Sequence, residues 1–169
     1  MPKIAGAVGA FKVLVDGAEI ETVSGVTTPD VEIPATEVSG AGIMGTVSIP
    51  NFGQVGAMAF AITAPGAGAQ RGILMSGGEH SIEVRVAKNV RAVDGSLVAE
   101  GTKYFATGYF SKVSGGDIAV GGRPEDKYEY SVYRFREVVD GRETVLIDQL
   151  RHIYQTGGVN HMEPFDRLL

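Results

Sequence analysis

The 169-residue chain contains no cysteine and no tryptophan, and it has neither a long apolar run nor a basic cluster. Without thiols there is no disulfide framework and no thiolate metal site, which suits assembly in a reducing compartment. Lys and Arg number 15 against 20 Asp and Glu, giving a formal net charge of −5 that is spread along the chain. Sequence-independent binding to DNA or RNA relies on clustered cations that neutralise phosphate, and is not expected here. At the start, MPKIAGAVGAFK, only eight residues separate Lys3 from Lys12. That run is too short to span a bilayer, and the small Ala5-Gly6-Ala7 triplet precedes it, whereas a signal peptide carries its cleavage site after the apolar stretch. Neither a cleaved signal nor membrane anchoring is expected; residues 1–10 read as an arm, flexible or docked on a partner.

What is abundant is glycine, 24 residues of 169, without a collagen period. That composition signals many tight turns. Three Val-Asp-Gly tripeptides, at 15–17, 93–95 and 139–141, each separate β-rich runs, and Asp-Gly supplies the positive φ angles of a hairpin. The strands around them are Phe11 to Leu14 with Ala18 to Thr22, the alternating His80 to Ala87, a pair of strand-like stretches in Leu97 to Val113 broken near Gly101 and Gly108, and Lys127 to Val138 returning through Glu143 to Asp148. Ala57 to Thr63 adds another, and Ala69 to Ser76 is the best helix candidate, weakened by Gly72 and capped by Gly77-Gly78. Residues 22–50 hold Pro29, Pro34, Pro50 and Gly40, Gly42 and Gly45, so they read as a long extended excursion of the kind that is functional or bound to something. In Lys127 to Val138 the apolar residues sit at even positions through Val132 and then at odd positions, Tyr133 and Phe135. A strand with one wet face keeps one parity. The switch predicts that both faces of this strand are partly covered, by its own domain or by a second copy. The expected fold is mainly β, two packed antiparallel sheets forming a sandwich or partial barrel with one short flanking helix, in a single domain over 1–169.

Candidate chemistry is sparse. Gly40-Ala41-Gly42-Ile43-Met44-Gly45 has the letters of a dinucleotide fingerprint, but Pro34 precedes it and a β-branched, proline-stopped run follows where a helix is needed. His80, His152 and His161 lack the spacing of a helical metal pair and read as solvated or interface residues. No Ser stands in a GxSxG elbow. Glu125-Asp126 and Glu19/Glu21 have no defined separation across a sugar cleft, and Glu19 and Glu21 read as a solvated acidic face. No enzyme activity, cofactor or metal is expected. A carbohydrate-binding β-sandwich is the alternative, on the aromatics Tyr104, Phe105, Tyr109 and Phe110, although without Trp to form a platform.

Two stretches resemble the major tail tube proteins of contractile-tailed bacteriophages and the tubes of phage-tail-like bacteriocins. One runs from Thr28-Pro29 to Ser39-Gly40-Ala41-Gly42-Ile43-Met44-Gly45. The other runs from Gly108 through Gly115-Gly116-Asp117, the aromatic strand, Val139-Asp140-Gly141-Arg142-Glu143 and Ile147-Asp148 to Gly158-Val159. The resemblance implies a structural subunit that self-assembles into hexameric rings stacked as the inner tube of a contractile tail. That tube is a conduit for DNA or a membrane-piercing device, with a type VI secretion tube as a structural cousin. It also implies assembly in the host cytoplasm into a virion or bacteriocin particle. The implied partners are sheath, baseplate or initiator and tape measure proteins, with genomic DNA passing through unbound. The arm 1–10, the excursion of about 22–50 and the tail of about 157–169 are then assembly segments. Expected contacts between copies are Thr28, Pro29, Gly40, Gly42, Met44, Tyr133, Phe135, Val159 and Phe165. Glu19, Glu21, Glu32 and Asp117 are the expected lumen acids.

Overall fold

The computed structural model describes residues 4–169, and the side chain of Ala5 is not among the described parts. Its elements in chain order are β1 (Ile4–Val15), β2 (Ala18–Glu19), β3 (Gly25–Thr27), β4 (Ala35–Val38), β5 (Val47–Pro50), β6 (Met58–Pro65), a 3-10 turn (Gly68–Gln70) leading into α1 (Arg71–Leu74), β7 (Glu79–Arg91), β8 (Leu97–Ser114), β9 (Glu125–Val139), β10 (Arg142–Asp148), β11 (Ile153–Thr156), β12 (Val159–Asn160) and α2 (Glu163–Asp166). All pairings among them are antiparallel.

Each Val-Asp-Gly tripeptide makes its hairpin. Asp16 and Gly17 have φ of 52° and 82°, Asp140 and Gly141 have 48° and 76°, and Gly95 has 85°. Positive φ at both central residues matches the turn twist to the strand twist, so β1–β2 and β9–β10 close through two-residue turns. In the middle hairpin Asp94 accepts the Ser96 N–H at 3.0 Å, which fixes a longer turn between β7 and β8.

The strands form one ten-stranded sheet ordered β12-β11-β10-β9-β8-β7-β1-β2, with β6 joined to both β3 and β9, and a separate two-stranded sheet, β4-β5. The fork is at β9. Its first half, Glu125 to Val132, pairs with β6, whereas Arg134 to Val139 pairs with β10. Tyr133 stands between the two, and its carbonyl accepts the N–H of Gln149, 2.9 Å away, just as the chain leaves β10. The Gln149 side-chain amide then donates to the carbonyls of Val55 and Gly56, tying the entry to β6 onto the exit from β10.

This fork corrects the expected cause of the parity switch. Across β8 the register runs Thr107↔Arg134 and then Gly108↔Val132, so Tyr133 is an extra, unpaired residue. A β-bulge of this kind shifts alternation by one. Tyr128, Tyr130, Val132 and Phe135 consequently all face one core, and no second copy is needed to cover them. Gly108 permits the close approach: a Cβ there would sit 2.1 Å from the Ser131 carbonyl oxygen.

The core lies inside the curl of the sheet. Val13 and Val15 of β1 and Ile82 and Val84 of β7 meet Phe60 and Ile62 of β6 and Tyr128 and Tyr130 of β9. The expected sandwich is thus two branches of a single sheet, open as a partial barrel, with α1 held on its flank. Leu74 is fully buried, and its carbonyl accepts the Tyr130 hydroxyl at 2.7 Å. His80 is buried, contrary to the solvated or interface placement expected for it. Its Nε2 lies 2.8 Å from the Ser76 carbonyl and its Nδ1 2.7 Å from Asp16, joining the helix end to the first hairpin turn.

Other departures are local. Leu97–Ser114 is one strand with irregularities beside Gly108 and Phe110, not two stretches broken near Gly101 and Gly108. Of the expected arm over residues 1–10, residues 4–10 continue β1 alongside β7, and residues 1–3 lie outside the described part. A second short helix, α2, follows the buried Met162, with proline in its first turn.

Candidate assembly surfaces

Small antiparallel sheets leave unpaired edges, and those edges invite another strand. In β1 only Leu14 and Val15 pair with β2, and the Val13 carbonyl accepts the Ile20 N–H, so among the described residues the remainder of that side, Ile4 to Lys12, carries no neighbouring strand. Ile4 and Val8 are exposed on it. Beside it lies an apolar cleft of about 360 Å³ lined by Val8, Phe11, Val26, Thr28, Val84, Val86, Lys88 and Tyr104.

The excursion over residues 22–50 is anchored at its root and projects beyond it. β3 pairs with β6, Pro29 is buried, the Gly56 N–H donates to the Glu32 carbonyl at 2.8 Å, and the Asn51 N–H donates to the Pro34 carbonyl at 2.7 Å. Beyond that root, β4 and β5 form a hairpin in which every residue is exposed. Gly42 and Gly45, with φ of 93° and 102°, shape its tip and present Met44 fully to solvent. Val38, Ile43, Val47, Ile49 and Phe52 are exposed along the same segment. An isolated two-stranded hairpin is marginal in water and gains stability when something packs on it.

Two further apolar segments stand out. The connector between β8 and β9 exposes Ile118 and Val120, and the C-terminal stretch exposes Val159, Phe165, Leu168 and Leu169. Monomeric proteins rarely expose contiguous apolar patches without a use for them.

Of the expected contact residues, Gly40, Gly42 and Met44 share the hairpin tip, Thr28 lines the cleft, and Val159 and Phe165 are exposed near the C-terminus. The Phe165 ring approaches Gly53 at the foot of the excursion. Pro29 and Phe135 are buried within the single chain and offer no side chain to a neighbour; Phe135 is 6 % exposed and stacks with Tyr104. Tyr133 is half-buried on the outer side of the bulge, against Tyr109, and its hydroxyl is pushed up in pKa by burial and by a hydrogen bond to Glu79. Ile4, Val8, Ile118 and Val120 escaped sequence reasoning, although pairs of aliphatic residues inside glycine-rich connectors are a usable signal.

The four expected lumen acids lie on three segments. Glu19 is on β2 and Glu21 just beyond it, Glu32 is at the root of the excursion, and Asp117 is in the β8–β9 connector; all four are exposed. Glu19 is ion-paired with Lys12 at 3.0 Å.

A sugar platform does not form. Tyr104 and Phe110 pack toward the core, whereas Phe105 lies beneath Arg136 and Tyr109 against Tyr133 on the other side of β8. No group of three or more His, Asp or Glu suited to a metal ion occurs among the described residues, and no described helix is long and apolar enough to cross a membrane.

Open β edges and apolar projections are surfaces that another chain can cover. A family model described as Phage tail tube protein FII matches residues 7–169, and the chain belongs to that family. It is a tail tube subunit of a phage tail or phage-tail-like particle, a structural protein and not an enzyme. Among solved structures the chain is similar to a chain of the anti-feeding prophage (AFP) baseplate, determined by cryo-EM and described as 6-fold symmetrised, at 12% identity and TM-score 0.47 over 76% of this chain and 90% of that one. It is also similar to a protein described as Hcp, known from a crystal structure, at 15% identity and TM-score 0.43 over 75% of this chain and 74% of that one. No curated protein matches the sequence.

Proposed function

We propose that the protein closes into rings with copies of itself, six per ring as the family resemblance implies, and that the rings stack into the inner tube of a contractile tail or bacteriocin particle. DNA passes through this tube, or the tube itself pierces a target envelope. The family match over residues 7–169 carries the reading. The geometry supports it: the open side of β1 is an edge that a neighbouring strand removes, and ring closure abolishes edges altogether. The β4–β5 hairpin, the connector carrying Ile118 and Val120, and the C-terminal stretch supply apolar surface for the contacts between and within rings. Permanent assemblies bury about 2,000 to 5,000 Å² per interface, which projecting segments of this kind provide more readily than a flat sheet face. Sheath, baseplate or initiator and tape measure proteins are the further partners, and assembly takes place in the host cytoplasm.

Electron microscopy of the purified protein, alone and with tail baseplates, tests the reading. Rings or tubes are expected, together with slower hydrogen exchange over residues 35–50 in tubes than in the free chain. A dispersed monomer that neither polymerises at high concentration nor extends from baseplates refutes it.

A further inference from the structure

The face of the large sheet that points away from the core carries an organised row of charge. Val13, Val15, Ile82, Val84, Ala106, Phe135 and Ile147 point inward. By alternation their strand neighbours Lys12, Glu83, Arg85, Phe105, Arg136 and Leu146 point outward. The register sets Lys12 opposite Arg85 and Arg85 opposite Lys103, and it sets Glu83 opposite Phe105 and Phe105 opposite Arg136.

Carboxylates are threaded between these cations. Glu19 meets Lys12 at 3.0 Å, Glu83 meets the Arg85 Nε at 2.6 Å, and Glu143 meets the Arg136 Nε at 2.5 Å. The guanidinium of Arg136 also lies 5.4 Å from the centroid of the Phe105 ring, and Gln155 donates to the other oxygen of Glu143. These two adjacent rows therefore cross β2, β1, β7, β8, β9, β10 and β11 as one belt perpendicular to the strands. Lys12, Arg85, Lys103 and Arg136 against Glu19, Glu83 and Glu143 leave it with a formal charge of 4 − 3 = +1. Leu14, Phe105 and Leu146 stand in these rows only partly exposed, and among the described residues none of the large apolar side chains exposed elsewhere joins them. The surfaces that await a neighbour are apolar, and this one is built to stay wet.

Lys12, Arg85 and Lys103 in one row, with Arg136 in the next, are a phosphate grip unless something occupies them. We propose that the belt face is the wall of the conduit, and that Glu19, Glu83 and Glu143 hold its cations away from phosphate so that a nucleic-acid duplex slides past instead of sticking. This rests on the reading of the chain as a tube subunit. It replaces an acidic, repelling lumen with a nearly neutral one in which three of the four cations are already paired. Arg85's hydrogen bond, then its charge and that of Lys103, hold the Glu83 carboxyl below its usual range, so the pairing persists in mildly acidic conditions.

The test uses a fluorescent 30-base-pair (about three helical turns) DNA duplex at low and near-physiological salt. Wild-type free protein is expected to bind it negligibly, while E19Q/E83Q/E143Q, which frees the whole row, is expected to bind at least about tenfold more tightly at low salt, with a salt slope larger by up to roughly 0.9 per cation engaged. Neutralising one pair from both sides, E83Q/R85Q, is expected to show no such gain, which separates charge from a merely structural disturbance. Equal binding by wild type and the triple variant overturns the proposal; should the triple variant misfold, E83Q alone against E83Q/R85Q decides the same question.

Location is tested separately, since the chain has no native cysteine. Ser81→Cys places a thiol on an exposed residue beside the belt. In free protein it is expected to react with both a small maleimide and one carrying a bulky polymer, and in tubes with the small reagent only. Equal labelling of tubes by the bulky reagent places this face outside and ends the proposal, while the tubes themselves uphold the subunit reading. Failure of wild-type protein to form tubes removes that reading and the proposal with it.

Discussion

Replacing Tyr130 by Phe makes a prediction whose sign changes with pH. Tyr130 and Leu74 are both fully buried, and the tyrosine hydroxyl donates to the Leu74 carbonyl at 2.7 Å. At neutral pH the phenylalanine removes one buried hydrogen bond and leaves the carbonyl without that donor, a cost of about 1–2 kcal/mol. In the folded chain burial, followed by the charge of Asp16 and the neighbouring Tyr128, pushes the Tyr130 pKa well above its ordinary value. In the unfolded chain it ionises near pH ~10. A raised tyrosine pKa means that the folded state keeps a proton the unfolded state gives up. The contribution is fully present below pH ~10 and is lost as pH rises toward the folded pKa, at about 1.4 kcal/mol per pH unit. Tyr130→Phe is blind to this loss. Urea midpoints should therefore show the variant less stable by about 1–2 kcal/mol at pH ~7, with the gap nearly closed by pH ~11. Tyr128 and Tyr133 are also raised, so both proteins lose stability on the alkaline side, but the difference between them isolates Tyr130. An undiminished gap at pH ~11 would show that Tyr130 ionises in the folded chain as readily as in the unfolded one, refuting the argument.

Gly108→Ala is expected to destabilise by at least about 1–3 kcal/mol in thermal unfolding, because the added methyl meets backbone atoms of Ser131 and Val132 that the bulge fixes in place. Gly72→Ala should do the opposite, stabilising by about 0.5–1 kcal/mol, since Gly72 lies in α1 with open space where a Cβ would go. Phe135→Ala should lower the stability of the free chain by about 3–5 kcal/mol through the cavity it leaves. Met44→Ser should leave that unfolding curve within about 0.5 kcal/mol of wild type while reducing tube yield in a sedimentation assay, because Met44 is fully solvent-exposed.

What the sequence displayed clearly was local chemistry. Asp-Gly at three places announced three hairpins because the positive φ it supplies is a property of two residues alone. The strict alternation from His80 to Ala87 announced β7, whereas the helix expected over Ala69 to Ser76 ends sooner: Met75 caps it, and Gly78, with φ of 115°, turns the chain into β7 instead of capping the helix. What it hid depended on pairs distant in sequence. His80 reads as one more polar residue at the start of a strand until the fold brings Asp16 and Ser76 to its two nitrogens. The ion-pair belt is likewise invisible, because Lys12, Glu83, Phe105, Arg136 and Glu143 become neighbours only once the register of five strands is known.

The parity switch at Tyr133 shows how one local signal admits two physical causes. An apolar pattern that changes phase can mean a strand covered on both faces, or one extra residue that rotates the remainder of the strand back onto the same face. The distinguishing sign is in the partner strand. A bulge brings the two backbones unusually close at one point, and only glycine tolerates a neighbour 2.1 Å from where its Cβ would stand. Gly108 is that residue, and it lies inside a run of eighteen strand residues where a glycine otherwise weakens the sheet. The bulge also falls where β10 hands over to β6, so the inserted residue both preserves one core face along β9 and lets a single strand serve two neighbours. Phe135 is committed to the chain's own core by this arrangement, so the proposed contact between copies rests on the open side of β1 and the projecting segments.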